Sequence, residues 1–73
     1  MYQPQKIEDA VLALLGAFQL EDGRAWKRYD FSVMEALHAQ GWITDPRAKA
    51  ESVYLTPEGQ DRALQLARKL LEA

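Results

Sequence analysis

Two stretches decide how this chain folds: Leu37-His38-Ala39-Gln40-Gly41-Trp42-Ile43-Thr44, and Val53-Tyr54-Leu55-Thr56-Pro57-Glu58-Gly59. In the first, Gly41 suits the left-handed position that follows a helix, and Trp42 then folds back onto Leu37, the apolar contact of a Schellman ending. In the second, Thr56 is a hydroxyl N-cap, Pro57 takes the first helical position, and Glu58 complements the dipole of the first turn. Between the two lie short β-prone runs, Trp42-Ile43-Thr44 and Val53-Tyr54-Leu55, separated by an eight-residue loop, 45–52, with polar residues around Pro46. Such an arrangement predicts an antiparallel β-hairpin.

Outward from this centre the remaining elements are helical. A helix over Phe31–Gln40 leads into Gly41, with Asp30 or Ser32 as its cap; Ser32-x-x-Glu35 fits a capping box. Its core side is Val33, Met34 and Leu37. A first helix is expected from Gln5 or Lys6 to Leu20, because Ile7, Val11, Leu14, Leu15 and Phe18 recur at helical spacing. Leu12 and Leu20 lie off that stripe, so this helix is either buried on two sides or in contact with another chain. Glu21-Asp22-Gly23 reads as a turn, with Gly23 supplying a permissive backbone. The last helix runs to about Leu71, with Ala63, Leu64, Ala67, Leu70 and Leu71 as its apolar side. The expected order is helix, linker, helix, β-hairpin, helix, a small α+β fold; residues 24–29 form either a helical turn or an edge strand.

From Leu37 through Leu71, the run L-H-A-Q-G-W-I, a polar loop, V-Y-L-T-P-E-G and an amphipathic helix is similar to the winged-helix domains of MarR- and PadR-type regulators. That resemblance implies a winged-helix-like fold, with 45–52 as the wing, and a DNA-binding role. The whole chain also resembles a small uncharacterised bacterial family. The residues that carry this second likeness are Ala25-Trp26-Lys27, Asp30, Leu37-His38, Gly41-Trp42-Ile43, Asp45-Pro46, Lys49-Ala50, Ser52-Val53 and Leu55-Thr56; no activity comes with it. A regulator's recognition helix meets phosphates, yet Phe31–Gln40 follows Asp30, contains Glu35 and has neither Arg nor Lys.

Composition narrows the function. The chain has 73 residues, expected as one domain over 1–73, which leaves little room for a buried cleft with its own supporting shell. It has no cysteine, so disulfides, cysteine-ligated zinc and thiol catalysis are excluded. No secretory leader or membrane-length apolar run is visible, and a cytoplasmic location is expected. Net charge is −2, but it is unevenly spread. Arg24, Lys27 and Arg28 give residues 24–29 a charge of +3 between flanking segments of −3 each.

Arg24, Trp26, Lys27 and Arg28, joined by Arg47 and Lys49 in the 45–52 loop, are therefore the candidate contacts for nucleic acid or a partner. On one reading the cations meet phosphates while Trp26 or Tyr29 stacks on a base. On the other, Trp26 fills the core and the cations pair with Glu21, Asp22 and Asp30; the flanking acids favour this. Glu35 and His38 have the E-x-x-H spacing of a carboxylate-bridged metal site, but no second histidine exists to complete one. Neither a nucleophile context nor a phosphate loop is present. The expectation is a non-enzyme without metal, cofactor or small-molecule ligand. Its first reading is a module that binds a protein partner or a second copy of itself through the apolar faces of the first and last helices. The alternative is a winged-helix-type nucleic-acid-binding or regulatory domain.

Overall fold

The computed structural model describes residues 2–22, 24–27, 29–47 and 52–72, without the side chain of Trp26. Helix α1 spans Pro4–Ala17, strand β1 Arg24–Trp26, helix α2 Phe31–Ala39, strand β2 Ser52–Tyr54 and helix α3 Pro57–Leu70. The punctuation around Gly41 and Thr56 forms as expected. Gly41 has φ +85. Its N–H donates to His38 O at 2.9 Å while that of Trp42 donates to Leu37 O at 3.0 Å, the paired bonds of a Schellman ending. Thr56 Oγ1 accepts the Gly59 N–H at 2.9 Å and caps α3, with Pro57 opening the helix.

The expected antiparallel pairing of 42–44 with 53–55 is present as a single bridge, and a further strand, not expected to pair there, takes the other edge. Strand β2 pairs antiparallel with β1, in the register Arg24↔Tyr54, Ala25↔Val53 and Trp26↔Ser52. The 42–44 run pairs with the end of the 53–55 run through an isolated antiparallel bridge, Ile43↔Leu55. Thr44 N–H donates to Tyr54 O at 2.9 Å, and Thr56 N–H to Trp42 O at 3.0 Å. Because successive strand residues direct their backbone groups to opposite edges, 52–56 has β1 along one edge and 42–44 along the other. Residues 24–26 thus form an edge strand and no helical turn. Ala25 needs no periodic signal to be there; its small side chain, buried in the core, is what the site accepts. Residues 48–51, half of the expected wing, lie outside the described residues, as do Gly23 and Arg28.

The core is built from Leu12, Leu15, Met34, Leu37, Ile43, Val53, Leu55 and Leu66, with Ala13, Ala25 and Ala63 in the gaps. Two helix faces differ from expectation. Leu12 is buried in α1, while Ile7 and Phe18 of the expected stripe face solvent. The inward side is the one carrying Ala13 and Gly16, which lets α3 approach closely. A Cβ on Gly16 would stand 2.7 Å from Ala63 Cβ. In α3 the buried side is Gly59, Ala63 and Leu66, and Leu64, Leu70 and Leu71 are exposed.

Boundaries also shift. Helix α1 ends at Ala17, capped by the Phe18 N–H on Leu14 O, and the chain turns so that Leu20 N–H reaches Arg24 O at 2.7 Å. This turn contains Glu21 and Asp22, as expected, and it delivers β1. Asp30 is the cap of α2, through the Val33 N–H at 3.3 Å; Glu35 takes no part in a capping box, being bound to Arg47 instead.

Candidate interaction surface

Among the described residues, the cations singled out from sequence, Arg24, Lys27 and Arg47, are held by the chain's own acceptors. Arg24 lies at the start of β1, where Asp22 accepts both its backbone N–H at 3.1 Å and its Nε–H at 2.8 Å. The turn that Asp22 closes therefore also neutralises Arg24. Arg47 pairs with Glu35 of α2 and stands 3.7 Å from Asp45 Oδ1. Its guanidinium lies 6.0 Å from the centre of the Phe31 ring, the outer limit of a cation–π contact. Lys27 Nζ donates to Pro46 O at 2.9 Å, which brings the 24–27 segment beside the start of the 45–52 loop. Of the six candidates, Lys27 and Arg47 are thus brought together through Pro46, while Arg24 sits with its own turn. Arg28, Lys49 and the side chain of Trp26 fall outside the described residues. Both arginine pairs are solvent-exposed, and pairs of that kind contribute about 0–1 kcal/mol each.

The E-x-x-H pair is divided between two structural tasks. Glu35 binds Arg47, and His38 Nδ1 donates to Ile43 O at 3.0 Å, tying α2 to the bridge segment. Among the described residues no three carboxylates or imidazoles gather where a metal ion would sit. At the cap of α2 the Ser32 hydroxyl, then the Val33 N–H, hold the Asp30 carboxyl below the usual carboxylate range.

The larger feature is apolar. Phe18 is 72% exposed, Ile7 40% and Leu20 47%. With Ala10 and Leu14, Ile7 and Phe18 make one stripe along the outer side of α1, at helical spacing and without a charge between them. On α3, Leu64 is 53% exposed, and Ala17, Gly16, Ala67 and Leu64 line a groove of about 320 Å³ between the two helices. Gln19 and Gln60 close one end of that groove through reciprocal amide bonds of 2.8 and 2.6 Å. Sequence reading did not find this pair. Its members lie 41 positions apart, and only the antiparallel packing of α1 on α3 brings them together. The second apolar face of α1 was visible in the sequence as a surplus of leucines, but the expected stripe is split: Leu15 and, in part, Val11 pack into the core with Leu12, while Ile7 and Phe18 face solvent with Leu20.

Among the described residues no helix is long and apolar enough to cross a membrane. No solved structure matches the chain. Uncharacterized protein y4hR of Sinorhizobium fredii (strain NBRC 101917 / NGR234) is 45% identical over 65 residues, covering 89% of this chain and 88% of the relative. A family model described as Domain of unknown function (DUF6429) matches residues 3–73. By both measures the chain belongs to that family of uncharacterised domains.

Proposed function

We propose that this chain is a non-catalytic interaction module that docks on protein surfaces through the outer apolar faces of α1 and α3. The observation that carries the reading is Phe18, largely exposed at the end of a charge-free stripe that also holds Ile7 and Leu14. An aromatic side chain left in water forgoes about 1.5–3 kcal/mol that burial would return. Contiguous apolar surface of this kind marks interaction sites. The non-catalytic part rests on the engagement of Glu35 and His38 by Arg47 and Ile43, which leaves the acid–base candidates in structural work. We read the fold as winged-helix-like, on the strength of the Gly41 ending, the Thr56–Gly59 lead-in and the position of 45–52 between two β segments. A photo-crosslinking residue placed at position 18 or 64 in the native cells is expected to give discrete protein adducts absent from position 65. Adducts no stronger than at position 65 would overturn the reading.

A nucleic-acid role is the second reading, and the Lys27–Pro46 bond is what favours it, since it sets two cation-bearing segments side by side. It requires phosphates to displace Asp22 from Arg24, and Glu35 and Asp45 from Arg47. Binding of a DNA or RNA duplex that weakens steeply with salt and is lost on Arg28→Glu would support it. No mobility shift at low salt would remove it.

A further inference from the structure

We propose that α1 pairs antiparallel with α1 of a second copy of this chain, about a two-fold axis passing between Val11 and Leu14. This rests on the reading of the helix faces as docking surfaces and names the occupant of one of them. The stripe Ile7, Ala10, Leu14, Phe18 extends over about 16 Å of helix, three turns, with no charged residue on it. The exposed leucines of α3 offer less: Leu64 and Leu71 span two turns and are interrupted by Arg68.

Three features of the stripe are self-complementary in the antiparallel sense. First, a register centred between the half-buried Val11 and Leu14 sets Ile7 of each copy opposite the second copy's Phe18. Second, the projecting Phe18 ring then meets a hollow of about 420 Å³ lined by Tyr2, Gln3, Lys6, Ile7 and Ala10. Ile7 in turn meets the hollow beside Leu14, Phe18, Ala25 and Tyr29. Third, opposite charges flank the stripe, one in the first turn of α1 and one in the turn that follows the helix. Lys6 precedes it and Glu21 follows it; both are exposed, and among the described residues neither has an ion-pair partner. Antiparallel pairing brings Lys6 toward the second copy's Glu21, twice by symmetry, whereas parallel pairing sets like charges together.

Sedimentation velocity of the full chain over a micromolar concentration series tests this. The unaltered chain is expected to show a monomer–dimer equilibrium. Phe18→Glu is expected to weaken it about thirtyfold or more, with an unchanged far-UV circular dichroism spectrum. Lys6→Glu is expected to weaken it about fivefold, and Lys6→Glu with Glu21→Lys in the same chain to restore it. A dimer that survives Phe18→Glu but is lost on Leu64→Glu overturns the α1 pairing and leaves the interaction module standing on α3. A monomer at every concentration overturns self-pairing; the adducts at position 18 or 64 then decide separately whether another protein docks there.

Discussion

The carbonyl oxygen of Trp42 occupies the space in which a side chain on Gly59 would begin. A Cβ built on Gly59 stands 1.9 Å from Trp42 O and 2.8 Å from its carbonyl carbon. The same oxygen accepts the Thr56 N–H at 3.0 Å and lies 3.2 Å from the Thr56 hydroxyl. The first turn of α3 is therefore seated on the backbone that follows α2. This contact joins the two strongest punctuation marks of the sequence, Gly41 and Thr56.

Gly59→Ala is expected to destabilise the fold by about 3 kcal/mol or more, read from the urea midpoint at constant m-value. At an ordinary helix position the same change stabilises by roughly 0.5–1 kcal/mol. The sign therefore isolates the backbone clash, and a neutral or stabilising result would show that Trp42 is not seated on α3.

The other close approach has a partner that can give way. Gly16→Ala sets two methyl carbons 2.7 Å apart across the α1–α3 contact and is expected to cost about 1–2 kcal/mol. Gly16→Ala combined with Ala63→Gly moves the methyl from one helix to the other. It is expected to recover most of the loss, giving a coupling energy of about 1 kcal/mol in a double-mutant cycle. Additive losses would place the strain elsewhere.

Short-range signals were legible in the sequence and long-range choices were not. The Gly41 ending and the Thr56 cap are written within six residues each, and both form. The pairing of β1 with β2 joins Ala25 to Val53 across α2, and three residues carry no period by which to announce a strand. Helix α1 is apolar on two sides, so periodicity alone could not choose between the Ile7–Phe18 stripe and Leu12; the choice falls to the close fit of Gly16 on Ala63. Likewise Leu66, and not Leu64, is turned inward by the seating of Gly59 on Trp42. In the candidate site, the pairing of Arg24 with nearby Asp22 could be read from the flanking acids. The pairing of Arg47 with Glu35 could not, because it joins a loop to a helix 12 positions away.

Asp30 gives α2 a pH dependence of definite sign. The Ser32 hydroxyl and the Val33 N–H favour its carboxylate, so its folded value lies below that of the unfolded chain. Its contribution is therefore fully present above the ordinary carboxylate range and is lost as pH falls through the depressed folded value. Thermal unfolding followed across this acid range is expected to show a loss that Asp30→Asn largely removes, since asparagine caps without titrating. An Asp30→Asn variant with the same acid sensitivity as the unaltered chain would assign the loss to other carboxylates.

Thr56 ties together what Gly59 merely permits. Its Oγ1 accepts the Gly59 N–H at 2.9 Å and donates to Gly41 O at 2.6 Å, linking the cap of α3 to the end of α2. Thr56→Ala removes both bonds, leaving an unpaired N–H in the first turn of α3, and is expected to cost about 2 kcal/mol. Thr56→Ser retains the hydroxyl and is expected to lose less than half of that. The comparison separates the hydrogen bonds from the packing of the Thr methyl group: serine as damaging as alanine would mean that the methyl, and not the hydroxyl, holds α3 in place.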